Sequence, residues 1–278
     1  EFFSPSSSAR KNMPLATLSN SVSLAYDIQG EGPPLVLICG LGTGGWIWCK
    51  QVPELAQHFQ VITFDPRGVG ESSQVAAPFS IADLAEDISF LLEHLGLERA
   101  HIVGASLGGI VAQQFALTFP HLVERLVLSC TTFGGPNHVL PGGEGLAALM
   151  SVSGLNGEER ARRNIQFGFT KAYLENNMDD VEDIIRMRLA CNIPEHVYLF
   201  QVKAASEFNA EPHIPAIESP TLVISGDQDI IIPVQNSHNL AQRIPNARLE
   251  IVEGAGHAFF IERAGEFNQT VLEFLKGN

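Results

Sequence analysis

The chain is predicted to be an α/β protein, a doubly wound and mostly parallel sheet with a helical insert. Three observations predict this. Short apolar runs alternate with helical stretches from Val22 to about residue 132, and again after Pro220. Between residues 132 and 218 the alternation breaks, and helical pieces follow one another with no clear buried strand. One segment, Gly104-Ala105-Ser106-Leu107-Gly108, passes directly from a strand-like run into a helix-like one. Continuous apolar runs of four or five residues fit strands covered on both faces, as in a parallel sheet flanked by helices.

Taken in order, Val22-Ser23-Leu24-Ala25-Tyr26 alternates as a half-exposed strand. Leu35-Val36-Leu37-Ile38 reads as a buried strand, followed by a helical stretch over residues 46–58. Val61-Ile62-Thr63-Phe64 is the next strand. Over residues 81–95, Ile81, Leu84, Ala85, Ile88, Leu91, Leu92 and Leu95 share one helical face. A strand is expected over 100–103, a helix over 107–119 and a strand over 126–128. In the insert, helices are expected over 158–169, 181–190 and 194–207. After it come a strand over 221–225, a helix over 234–243, a strand over 248–252 and a helix over 264–275. This divides the chain into a core of residues 13–132 and 219–278 and a helical cap, or lid, of residues 133–218. Residues 1–12, rich in serine and without an apolar centre, are expected to be a flexible tail or an expression remnant rather than a secretory signal.

The 278 residues carry a formal net charge of −14, and 45% are hydrophobic. Mean hydropathy is +0.10 and the pI is about 5.0. Nucleic acid is disfavoured as a partner, because neutralising phosphates takes basic patches. An anionic membrane surface is disfavoured on the same ground, and no apolar run reaches the roughly 18–20 residues of a membrane span. Cys39, Cys49, Cys130 and Cys191 form no C-x-x-C pair and lie at no zinc spacing. Free thiols and a cytoplasmic location are expected. The expected partner is a small-molecule substrate, with the chain a monomer or homodimer.

The G-x-S-x-G turn suits a serine nucleophile. Glycines on both flanks permit a tight turn, and the serine at its apex can point into a cleft shared with the next backbone N–H. A hydroxyl needs a base, a group that orients the base, and donors for the oxyanion. Beyond the strand ends, where open α/β sheets place their sites, His257 stands in Gly254-Ala255-Gly256-His257-Ala258 and is the base candidate. Asp229, in Gly226-Asp227-Gln228-Asp229-Ile230, is the orienting acid, with Asp227 as its local rival. The oxyanion donors are expected to be the N–H of Leu107 and that of Leu41. Leu41 lies in Cys39-Gly40-Leu41-Gly42-Thr43-Gly44-Gly45, where four glycines let backbone approach a ligand closely. No Lys-Ser/Thr follows at phosphate-loop spacing.

Together these segments resemble the α/β-hydrolase superfamily from Val22 to Leu275, and within it the small capped carboxylesterases and enol-lactone hydrolases. The order Ser106, Asp229, His257 matches that family, as does the turn Asp65-Pro66-Arg67-Gly68-Val69-Gly70-Glu71-Ser72, which implies a structural lock near the site. One departure is Cys39, where the family has histidine before the oxyanion-loop glycine. The resemblance implies hydrolysis of a carboxylic ester or lactone through an acyl-enzyme, with no metal or organic cofactor. Three alternatives stay open: a carbon–carbon bond hydrolase, a cofactor-free perhydrolase, and a ligand receptor of low turnover. Gly40, Trp46, Phe133, Phe167 and Phe200 are expected to contact substrate. An apolar lid with Leu149 and Met150 among its residues suggests small uncharged groups. Arg160, Arg162 and Arg163 are expected to form a solvated face.

Overall fold

The computed structural model describes residues 13–150 and 157–277. The expected tail over residues 1–12 lies outside the described residues, as do the side chains of Leu149 and Met150. The strands are β1 (Leu15–Thr17), β2 (Ser23–Gln29), β3 (Pro34–Ile38), β4 (Gln60–Phe64), β5 (Ala100–Ala105), β6 (Val123–Ser129), β7 (Thr221–Gly226) and β8 (Ala247–Val252). Among the described residues these eight form one sheet in the order β1-β2-β4-β3-β5-β6-β7-β8. β2 runs antiparallel to both its neighbours, and every other pairing is parallel. The apolar runs sit where covering on both faces is needed: all six residues of β5 and the last four of β3 are buried.

The helices of the first half are α1 (Val52–Leu55), α2 (Ile81–His94) and α3 (Leu107–Thr118). The insert between β6 and β7 contributes α4 (Gly143–Met150), α5 (Gly157–Gly168), α6 (Lys171–Asn176), α7 (Met178–Ala190) and α8 (Glu195–Glu207). α9 (Gln235–Arg243), α10 (Phe259–Glu262) and α11 (Ala264–Lys276) complete the chain. Two apolar clusters lie on opposite faces of the sheet. One gathers Leu84, Ile88, Val111 and Phe115 of α2 and α3, and the other Leu55, Phe267 and Val271 of α1 and α11. α2 begins at a reciprocal cap: the Ser80 hydroxyl accepts the Asp83 N–H while the Asp83 carboxylate accepts the Ser80 N–H.

Residues 46–58 depart from the single helix expected there. Gly45–Trp48 is a 3₁₀ turn and α1 covers four residues. Pro53 stands in the first turn of α1; it lacks the N–H that a helix running through it would need, so it starts a helix here instead of continuing one. The short elements β1, α4, α6 and α10 were not expected.

The two ends of the insert meet at the core. Gly134 bridges Asn209, the Ala210 N–H donates to the Phe133 carbonyl at 2.9 Å, and Phe133, Phe208, Ala210 and Ile214 join the core cluster. Further ties fasten the helices over the carboxyl ends of the strands. The Gly70 N–H donates to Asn192 O at 2.8 Å and the Ala258 N–H to Gly168 O at 2.7 Å. Lys50 reaches Asp180 and the Tyr173 hydroxyl. Among the described residues, no helix is long and apolar enough to cross a membrane.

Candidate active site

Ser106 joins β5 to α3 with φ 55° and ψ −118°, a region costly for any side-chain-bearing residue. The surroundings hold it there. Its N–H donates to Ser129 O at 2.9 Å, and the Thr131 hydroxyl donates to its carbonyl at 2.8 Å. The flanking glycines are required by close approach. A Cβ on Gly104 would lie 2.2 Å from Gly108 O, and one on Gly108 would lie 2.1 Å from Ile38 O. Leu107 is the first residue of α3, so its N–H has no acceptor within the helix.

β7 and β8 deliver the other two groups. The His257 Nδ1–H donates to Asp229 Oδ2 at 2.7 Å. Asp229 is 5% exposed, and its other oxygen accepts the N–H groups of Ile231 and Ile232, both at 2.8 Å. With both oxygens engaged the carboxylate cannot rotate, and it fixes the imidazole tautomer that leaves Nε2 as the basic nitrogen. The rival aspartate does something else: Asp227 accepts the Gly254 N–H at 2.7 Å and ties the acid loop to the histidine loop. Gly226 is needed at the same join, since a Cβ there would lie 2.1 Å from Ala255 O. Glu262 accepts the Gly256 N–H at 3.2 Å and also takes the Thr170 hydroxyl, so it braces the histidine loop against the insert.

The loop after β3 closes as a turn, with the Thr43 hydroxyl donating to Gly40 O at 2.8 Å. A Cβ on Gly40 would come within 3.3 Å of Ser106 Cβ, so this loop lies against the serine. The insert grips the loop at Gly42. Gln201 accepts the Gly42 N–H at 2.9 Å, and Arg188 donates to the Gly42 carbonyl. Cys39 lies beneath the loop, and its thiol donates to Thr43 O at 3.2 Å. Burial pushes that thiol well above its usual range, so it is a protonated packing group that helps hold the loop.

Ser106 and His257 line one cavity of about 160 Å³, together with Gly40, Leu41, Trp46 and Phe167. An apolar cavity of roughly 150 Å³ accommodates a benzene-sized ligand, which sets the scale of the group this one can enclose. Two expected substrate contacts fall elsewhere. Phe133 is 0% exposed and sits under the Arg243 guanidinium, 4.9 Å from it; it stands at the foot of the insert, where the chain is still packing into the core. Phe200 lies between the rings of Phe79 and His196, because it occupies the face of α8 that packs on the core. Of the three arginines, Arg162 is exposed and paired with Glu158 and Glu182. Arg160 and Arg163 instead lie over the rings of Tyr198 and Phe167, so the solvated face is narrower than expected.

Sequence reasoning missed several lining residues, among them Asn164, Ile184, Arg188 and Tyr198 of the insert and Ile231 of the acid loop. One of them had a signal. Val181, Ile184, Ile185 and Arg188 recur at three- and four-residue spacing, which puts a cation on the apolar stripe of α7. The turn from Asp65 locks neighbouring loops. Asp65 accepts the Gly45 N–H at 2.9 Å, and Arg67 makes two bonds to Asp87, at 2.7 and 2.6 Å.

The comparisons with known proteins agree with this fold. The family model described as the alpha/beta hydrolase fold matches residues 33–264. A protein of Caulobacter sp. (strain K31) that carries the carbamate hydrolase name RutD is 30% identical over 261 residues, covering 91% of this chain and 96% of its own. A hydrolase from Pseudomonas aeruginosa PA01 superposes with a TM-score of 0.83 at 33% identity, covering 96% of this chain and 99% of its own. The enol-lactonase from Burkholderia xenovorans LB400 has the same TM-score, 0.83, at 29% identity, covering 95% of this chain and 100% of its own. With most of its length matched and the strand-to-helix serine in place, the chain belongs to the α/β hydrolase fold family.

Proposed function

We propose that the chain is a serine hydrolase that cleaves a small carboxylic ester or lactone through an acyl-enzyme. The observation that carries this reading is that Ser106 and His257 line one cavity, with His257 bonded from behind to the buried Asp229. Ser106 Oγ attacks the substrate carbonyl as His257 Nε2 takes its proton. The oxyanion is received by the N–H groups of Leu107 and Leu41. His257 returns the proton to the leaving alcohol, then draws one from water as it attacks the acyl-serine. Asp229 steadies the imidazolium in both steps. The strain at Ser106 favours this use, since the turn that costs backbone energy also presents the hydroxyl to the cavity.

A carbamate is a second substrate class, favoured by the name of the Caulobacter relative. Its carbonyl accepts the same attack and needs the same oxyanion donors. Steady-state kinetics on short p-nitrophenyl esters, five- and six-membered lactones, an aryl carbamate and a vinylogous diketone separate the classes. The expected result is highest kcat/KM on an ester or lactone, abolished in Ser106→Ala. Turnover confined to the diketone, or ester turnover that survives Ser106→Ala, would overturn the reading.

A further inference from the structure

The backbone amides on either side of His257 are both held, and the insert supplies part of each hold. The Ala258 N–H donates to Gly168 O at 2.7 Å, and the Gly256 N–H donates to Glu262 Oε2 at 3.2 Å. Glu262 also receives the insert: the Thr170 hydroxyl donates to its Oε1, and the Thr170 N–H reaches Oε2 at 3.4 Å. The packing here is close, since a Cβ on Gly256 would stand 3.1 Å from Gly168 O and 3.2 Å from Thr170 N. Glu262 ends α10, whose Phe259, Phe260 and Ile261 are all buried, so the carboxylate projects from a fixed stub. Among the described residues, no ion pair joins Glu262 to a cation, and its charge is spent on the histidine loop and the insert.

The ring of His257 is tethered through Nδ1 to Asp229. A bond at one ring atom lets the ring swing about it, so the place of Nε2 depends on the backbone that carries the ring. That backbone lies between β8 and α10, outside both, and contains Gly254 and Gly256, whose conformational freedom is large. A misplacement of about 1 Å between reacting groups can cost on the order of a hundredfold in rate. Hydrogen bonds to an ionised acceptor are roughly twice as strong as neutral ones, so a carboxylate suits a clamp on such a loop. Thr170 has a second duty: its oxygen accepts the Tyr173 N–H at 3.2 Å and starts α6. One hydroxyl thereby joins the start of an insert helix to the loop of the base.

We infer that Glu262 is a positioning residue for His257, and that through Thr170 the seating of the insert sets how well the base is aimed at Ser106. An insert lifted from the core gives up the Gly168 and Thr170 bonds together, and the histidine loop loses its supports on both sides. At this join the insert enters the chemistry as well as the fit of the substrate. The inference rests on the hydrolase reading, in which His257 is the base, and adds a control to that site.

The test measures acylation by stopped flow with a short p-nitrophenyl ester, beside the low-field proton resonance of the His257 Nδ1–H bonded to Asp229, which needs no turnover. Thr170→Val and Glu262→Gln are each expected to lower the acylation rate constant about tenfold, with the half-saturating ester concentration within about twofold, and to broaden the resonance. Thr170→Ser restores the hydroxyl and is expected to keep both near wild type. Glu182→Gln loosens the outer face of the insert at Arg162 and is expected to change neither. Acylation and resonance unaltered in Glu262→Gln, or weaker ester binding without slower acylation, would overturn the proposal. So would a loss in Thr170→Val that Glu262→Gln does not share, the mark of an uncapped α6 alone. Wild-type protein that shows the resonance but acylates with no ester would sink the hydrolase reading instead, and the resonance in Glu262→Gln would still decide the positioning role.

Discussion

The cavity has two walls built on different principles. The core wall is made by turns at strand ends, where backbone atoms approach so closely that Gly104, Gly108 and Gly226 leave no room for a Cβ. Its orienting acid, Asp229, is held by two amides and an imidazole. The insert wall is made by side chains on amphipathic helices whose outer faces carry charge, Arg162 and Glu182 among them. It touches the core wall through a few defined bonds, at Gly42, Gly70 and Ala258. Such a division separates chemistry from selection. Groups that must stay within tenths of an ångström sit on overdetermined backbone, whereas groups that set shape and charge sit where a substitution leaves the sheet intact.

That contrast is open to attack from both sides. The largest effect is expected on the core wall: Ser106→Ala lowers kcat by about 10⁴–10⁶, measured on the best ester or lactone. Next comes the pair of aspartates. Asp229→Asn is expected to cost about 10³–10⁴ in kcat because the imidazole is misoriented, whereas Asp227→Asn leaves kcat within a few-fold; the reverse order would transfer the orienting role to Asp227. Gln201→Leu removes the acceptor for the Gly42 N–H. It is expected to lower kcat by on the order of tenfold, less than the loss of an oxyanion donor itself, with stopped-flow acylation as the readout. Smallest is Phe167→Ala, which widens the insert wall and is expected to raise KM about three- to tenfold with kcat within about twofold, the mark of uniform binding. A fall in kcat from the Phe167 variant larger than that from Gln201→Leu would erase the distinction between the walls.

The two walls also differ in how far they can be read from the chain. Steric necessity leaves a residue-level mark, so the glycines on either side of Ser106 announce a tight turn in the sequence itself. The alternation of buried runs placed the parallel strands, because strands covered on both faces tolerate few polar residues. The insert leaves no comparable mark. A phenylalanine on a helix reads alike whether it meets a substrate or the core, and Phe133 and Phe200 turned inward where Ile184 and Tyr198 line the cavity. β1 has three residues and α10 has four, too few for a periodicity to register. The cation on the apolar stripe of α7 was readable in principle, from the three- and four-residue spacing that puts Arg188 in line with Val181, Ile184 and Ile185.

The account stands on Ser106 being activated by His257 across the cavity, and one measurement reaches it directly. Intact-mass analysis of the folded protein after exposure to a fluorophosphonate is expected to show a single adduct, mapped by peptide digestion to Ser106 and lost in His257→Ala as well as in Ser106→Ala. Folded wild-type protein that stays unmodified, or an adduct that forms equally fast without His257, would contradict it.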